Sequence, residues 1–225
     1  MSDQINYPPA IVEPENSIGV LIYLHGQGGN GTAVSESFQR EAALQPFKGV
    51  FPHASIKYSQ FGHPATAWIQ PFGLRDTAHS TQNVRLVRLE AEFIHRMIDD
   101  EVRKGVQSSK IFVGGTGMGG ALALFAGLTY PKRLAGIFVV SAWVPVKHAL
   151  VNRPVANKKT PIMHVRGNAD PPISPVELEL NLTQIARENA NIASEDEITT
   201  ELAAFLHGHV NAPDPTIRFR RCKLM

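Results

Sequence analysis

The most chemically suggestive stretch of the chain is Val113-Gly114-Gly115-Thr116-Gly117-Met118-Gly119-Gly120. An apolar run, Lys110-Ile111-Phe112-Val113, leads into it, and Ala121-Leu122-Ala123-Leu124-Phe125-Ala126 leads out with strong helix propensity. The pattern predicts strand, sharp turn, helix. In a G-x-S-x-G turn of this kind the central serine stands at a strained apex, and the flanking glycines let strand and helix approach without a Cβ clash. Here the apex is Gly117, which has no atom able to attack a carbonyl.

Two other segments stand where partners of such a turn belong, in the order nucleophile, acid, histidine. Arg166-Gly167-Asn168-Ala169-Asp170-Pro171 follows an apolar strand pattern, so Asp170 is expected at a strand's carboxyl end, where open α/β sheets form ligand crevices. Gly208-His209 follows a second apolar run in the same manner and makes His209 the expected proton carrier, with His207 a competitor for that place. Asp170 has an alternative role as cap of a nearby helix. The loop His25-Gly26-Gln27-Gly28-Gly29 after the first strand is expected to give a backbone N–H at Gln27, paired with that of Met118, to form an oxyanion hole; Gly26 and Thr116 would border it. Its alternative is a plain flexible turn, and a phosphate cradle is disfavoured because the P-loop lysine and Ser/Thr are absent. As replacement nucleophiles, Thr116 lies on the wrong step of the turn, Cys222 sits in a tail, and Ser141 is expected to pack.

The elements that would position these groups alternate. Residues 18–24 read as a buried strand, 32–44 as a helix starting at Thr32 and stopped by Pro46, and 49–51 as a short strand. Residues 53–81 read as a long surface loop containing Trp68, which would wall an acyl pocket or fill the core. Residues 82–104 form the clearest helix, with Val87, Ala91, Ile94, Ile98 and Val102 on one face and Gly105 ending it. Strands are expected at 134–140 and 161–165, a helix from Ser174-Pro175 to about 189, and a last strand at 199–206. Alternation of this kind predicts an α/β domain with a mostly parallel sheet covered by helices on both faces. Residues 1–225 read as one such domain, with 1–16 and 211–225 as peripheral tails and no internal repeats.

Composition bounds the setting. With 225 residues, 43% of them apolar, the chain can bury a sizeable core. A net charge of +2 argues against a nucleic-acid partner, and the basic cluster at 218–223 reads as a solvated tail. A single cysteine excludes an internal disulfide, the first residues lack a signal-peptide pattern, and no apolar run reaches the roughly 18 residues of a membrane span. The expected location is cytoplasmic. Neither a metal nor a cofactor is among the expectations, and a homodimer stays open.

Leu24-His25-Gly26-Gln27-Gly28-Gly29-Asn30-Gly31, Phe51-Pro52-His53-Ala54, the Trp68 region, residues 114–124, Ser141-Ala142-Trp143-Val144-Pro145, residues 167–171 and Gly208-His209 together resemble the phospholipase/carboxylesterase family that includes acyl-protein thioesterases, its fungal branch above all. The resemblance runs from residue 18 to 209 and implies an α/β-hydrolase fold with cofactor-free hydrolysis of thioesters or carboxylic esters in intact members. Such members carry G-F-S-Q-G-G or G-I-S-Q-G-x where this chain has Thr116-Gly117-Met118, and they place an amphipathic helix after the histidine, which residues 210–225 do not resemble. The leading expectation is a serine-less enzyme in which His209, oriented by Asp170, moves protons on a carbonyl-containing small molecule held at Gln27 and Met118. A cyclase, isomerase, dehydratase or lyase of fungal natural-product tailoring would fit. The alternatives are a carboxylesterase or thioesterase working through water, or as a Ser-to-Gly variant, and a non-catalytic protein that binds an acyl ligand.

Overall fold

A computed structural model describes residues 7–58, 63–69, 81–146, 150, 157, 159–165, 185–188 and 195–211, without the side chains of 81–83, 185–188, 195 and 196. Its centre is a seven-stranded sheet in the order β1-β3-β2-β6-β7-β8-β9. The strands are β1 (Ala10–Val12), β2 (Gly19–Leu24), β3 (Phe47–Phe51), β6 (Ile111–Thr116), β7 (Gly136–Val140), β8 (Ile162–Val165) and β9 (Ile185–Glu188). Every neighbouring pair is parallel except β1 with β3. A small hairpin, β4 (Ile56–Tyr58) with β5 (Pro64–Thr66), stands apart inside the segment expected to be a loop. The helices are α1 (Gly31–Arg40), α2 (Thr81–Arg103), α3 (Gly117–Thr129) and α4 (Glu195–His209).

The sheet buries both faces, which is why its central strands are apolar without alternation. Val20, Ile22 and Leu24 of β2 face one layer with Val87, Ile94 and Ile98 of α2 and Leu122 and Phe125 of α3. Leu21 and Tyr23 face the other, with Phe38 of α1 and Leu202, Phe205 and Leu206 of α4. The α2 stripe recurs every three or four residues, as read from the sequence, and the helix ends where Gly105 takes φ +99°. There the Gly105 N–H donates to Val102 O and the Val106 N–H to Glu101 O, a pattern that satisfies the last carbonyls.

Four expectations need correction. The helix after β2 starts at Gly31, not Thr32, because Asn30 is the cap and its Oδ1 accepts the Ala33 N–H at 2.8 Å. Part of the presumed N-terminal tail is strand: Ala10-Ile11-Val12 pairs with Phe51-Val50-Gly49. Residues 185–188, expected to close a helix, form β9 beside β8. The expected last strand, 199–206, lies wholly within α4. Its apolar positions Ile198, Leu202, Phe205 and Leu206, with Val210 just past its end, follow a helical period. The last strand of the described sheet is therefore β9.

Candidate active site

The glycine-rich turn forms as expected: β6 ends at Thr116 and α3 begins at Gly117. Close approach explains its glycines. A Cβ on Gly119 would lie 2.3 Å from the His25 carbonyl oxygen, and one on Gly115 would lie 2.7 Å from both the Leu24 carbonyl oxygen and the Gly119 carbonyl carbon. Gly117 differs from both. It has φ +55°, the left-handed conformation of a strained apex, yet a Cβ there would meet nothing within 4 Å among the described residues. The corner has the left-handed backbone expected of the turn's apex, and the described residues leave the space beside it open.

Thr116 caps α3 by position without using its side chain to do so. Its hydroxyl instead shares a 2.8 Å hydrogen bond with the Tyr23 hydroxyl, so it is not aimed at the apex as a substitute nucleophile. The first amides of a helix have no intrahelical acceptor, and Met118 is the second residue of α3. The Met118 side chain is buried, with its sulfur 3.5 Å from the Ile69 amide.

Facing the turn is the loop after β2, fastened from several sides. His25 is buried; its Nδ1–H donates to the Gly26 carbonyl at 2.7 Å, and its Nε2 accepts the Ala54 N–H at 3.1 Å. The Trp68 indole donates to the His25 carbonyl at 2.8 Å and its ring packs on the imidazole at 5.1 Å. The Gly28 N–H donates to Thr66 O, while the Thr66 hydroxyl donates to Gly29 O. Gly31 N–H donates to His53 Nδ1 at 3.2 Å. The loop is thus a built structure rather than a loose turn. Gly26 lies beside Thr116, a Cβ there falling 3.6 Å from the Thr116 carbonyl oxygen, and Gln27 is exposed. Trp68, at 1% exposure, fills the core behind the loop and has almost no surface left to wall a pocket.

Burial holds the His25 imidazole below its usual pKa, with the nearby His53 acting in the same direction and the hydrogen bond to Gly26 opposing both. The neutral ring with a fixed tautomer follows from its two bonds. Sequence reasoning placed His25 in the loop motif but gave it no role. Only the pairing with Ala54 and Trp68, remote in sequence, shows that it anchors the loop.

His209 is not brought to the turn. It is the last residue of α4, with its Nδ1–H donating to the Phe205 carbonyl at 2.8 Å and its ring 4.5 Å from that of Phe205. Next to it, Val210 Cγ2 lies 2.8 Å from the Cβ position of Gly19, the first residue of β2. The turn follows the other end, where Leu24 pairs with Gly115. The length of β2 separates the two places, about 17 Å at roughly 3.3 Å per residue. His207 lies at the same amino end, donating to the Ala43 carbonyl at 2.7 Å and packing against Phe47. The acid–base role expected of His209, or of its competitor His207, is therefore not filled at Gly117 by either histidine. Asp170 lies outside the described residues.

With β9 as the last strand, the place after it belongs to residues 189–194: Asn189, Ala190, Asn191, Ile192, Ala193 and Ser194. No histidine is among them. Where the chain order of this kind of site puts the proton carrier, the sequence has none. Among the described residues no three His, Cys, Asp or Glu side chains gather as metal ligands.

Comparisons with known proteins agree with the architecture. The sequence profile of a family described as phospholipase/carboxylesterase matches residues 7–209. Acyl-protein thioesterase 1 of Neurospora crassa is 30% identical over 186 residues, covering 77% of this chain and 76% of that protein. A rice protein (Oryza sativa subsp. japonica) named "probable inactive carboxylesterase" is 30% identical over 155 residues, covering 66% of this chain and 63% of its own. The crystal structure of Arabidopsis thaliana SOBER1 superposes with a TM-score of 0.72 at 23% identity, over 85% of this chain and 99% of that one.

Proposed function

Since the chain belongs to the phospholipase/carboxylesterase family and has its α/β-hydrolase fold, we propose that it is a non-hydrolysing member that binds an acyl or other carbonyl-containing small molecule at the Gly117 turn. The single observation that carries this reading is Gly117 itself: the apex keeps its strained backbone and its open space but offers no attacking atom. The position of His209 at the far end of the sheet and the lack of a histidine in residues 189–194 support it, since neither place offers a proton carrier to the turn. Binding needs neither group. The Met118 amide at the start of α3 and the Gln27 amide in the fastened loop are the donors proposed to hold the carbonyl oxygen, and such donors are preorganised for a partial negative charge. The space at Gly117 would admit the group that a serine side chain fills in an active relative.

This reading replaces the acid–base enzyme expected from the sequence, which required His209 beside the turn. It keeps the small-molecule ligand and assigns no metal or cofactor. A relative named as an inactive carboxylesterase supports it. A second reading, hydrolysis of an ester or thioester, is favoured by the relatives named thioesterase and carboxylesterase.

Two assays on the full chain separate the readings. Calorimetric titration with 2-undecanone, a carbonyl compound that cannot be hydrolysed, is expected to give saturable binding, weakened at least tenfold in Gly117→Leu, whose side chain would occupy the open space. Release of p-nitrophenolate from p-nitrophenyl octanoate is expected to match that of heat-inactivated chain. Sustained turnover above that background would install hydrolysis in place of binding, and absence of 2-undecanone binding would remove the ligand proposed here.

A further inference from the structure

Two loops meet at this site, one after β2 and one after β3, and each carries a histidine that accepts a backbone N–H from the other. The Ala54 N–H points to His25 Nε2 at 3.1 Å, and the Gly31 N–H points to His53 Nδ1 at 3.2 Å. An imidazole nitrogen accepts only while it is unprotonated. His25 has no spare nitrogen, since its Nδ1–H is already given to the Gly26 carbonyl, so a second proton can be added only at the nitrogen that holds Ala54. The bonds bracket the segment from Gly26 to Asn30 and hence the Gln27 amide.

We propose that this reciprocal exchange is an acid-sensitive latch: protonation of the two imidazoles withdraws both acceptors, frees the loop that carries Gln27, and lowers the site's hold on its ligand. The surroundings favour the closed, neutral state. Trp68 covers one face of His25, and the positive end of α3 abuts the His25 carbonyl through Gly119. Among the described residues, the titratable groups facing the pair are each other and Tyr7, whose ring meets His53 edge-on at 6.4 Å; Tyr23 stands beyond Thr116, to which its hydroxyl is bonded. Burial as the main influence on His25 acts in the same direction. The latch stands on these bonds alone, while its effect on a ligand rests on the carbonyl-binding reading above.

Amide exchange of the full chain, measured residue by residue by NMR and divided by the intrinsic rates at each pH, tests the latch. Between pH 7.5 and 5.0 the protection of the Ala54 amide is expected to fall by up to about thirtyfold, because an opened imidazole of ordinary pKa gains about tenfold per pH unit below it. The Gly31 amide is expected to lose protection too, while core amides of α2 such as Ile94 and Ile98, which exchange only through opening of the whole fold, stay far better protected than Ala54 at both pH values. In His53→Asn the carboxamide oxygen accepts at either pH, so the Gly31 amide should stay protected at pH 5.0 while that of Ala54 still loosens. Equal protection of Ala54 at both pH values, an Ala54 amide as well protected as Ile94 at pH 5.0, or a Gly31 response in His53→Asn identical to that of wild type would each overturn the latch. A parallel titration with 2-undecanone is expected to weaken at least tenfold at pH 5.0. Loosened amides with no 2-undecanone binding at either pH would leave the latch standing and defeat the ligand reading instead.

Discussion

The glycines of the turn look alike in sequence and differ in what they do. Gly119 is required by contact, because a Cβ would stand 2.3 Å from a backbone oxygen that cannot move without the whole loop. Gly117 has room for a side chain and only a backbone conformation to pay for. Gly119→Ala is therefore expected to lower the unfolding free energy by about 3 kcal/mol, and Gly117→Ala by about 1 kcal/mol, in urea titrations. Near-equal losses would show that the apex is held by contacts rather than by its dihedral angle. Gly117→Ser is expected to fold and still release no p-nitrophenolate above background, since a hydroxyl without a base stays a weak nucleophile. Recovery of esterase activity in that single variant would reveal a proton carrier that the chain order does not supply.

Helix and strand assignments explain which parts of the site could be read in advance. The turn was legible because its signal is local: an apolar strand, clustered glycines and an alanine- and leucine-rich helix adjoin one another. The loop after β2 was legible for the same reason, whereas its anchors His53, Thr66 and Trp68 lie far along the chain and emerge only in three dimensions. His209 was misplaced through the wrong period. Leu202 to Leu206 reads as an apolar run, but Ile198, Leu202, Phe205 and Val210 mark a helix, and Ser194 three residues before Glu197 is a capping-box pattern. Taking that run for the last strand carried a histidine to the wrong end of the sheet. His209→Ala is accordingly expected to leave 2-undecanone affinity unchanged and to cost about 1 kcal/mol through the lost contact with Phe205; a tenfold loss of affinity would restore it to the site. At the amino end of the sheet, Lys48 of β3 joins Glu13 at 2.8 Å and Glu101 of α2 at 3.1 Å, tying the stretch after β1 and a helix to one strand. Burial opposes the Lys48 ammonium, yet the hydrogen bonds to Glu13 and Glu101 overcome it and hold the pKa above its usual value. Lys48→Met, which leaves the buried Glu101 only its 2.7 Å pairing with Lys104, is expected to cost about 2 kcal/mol in urea unfolding.

For the whole molecule, the same groups set how stability follows pH. Burial, the largest influence on His25 and on His95, depresses both, so their contribution is complete above the ordinary imidazole value of 6.5 and is lost as pH falls below it. Glu13, held low chiefly by its hydrogen bond to Lys48, contributes above 4.5 and is lost as pH falls further. Urea midpoints between pH 8 and 4 are expected to decline from about pH 6.5 downward, and a midpoint that rises in this range would contradict the buried neutral imidazoles. No helix among the described residues is long and apolar enough to cross a membrane. On the reading proposed above, the Gln27 and Met118 amides cradle a carbonyl at the carboxyl end of a parallel sheet, beside an apex, Gly117, that carries no attacking atom. Carbon-13 NMR of S-ethyl octanethioate labelled at its carbonyl, mixed with the full chain, reads both at once. A saturable shift of the carbonyl resonance that persists without conversion is the predicted result, and a growing carboxylate resonance, or a carbonyl resonance that does not move at saturating protein, would contradict it.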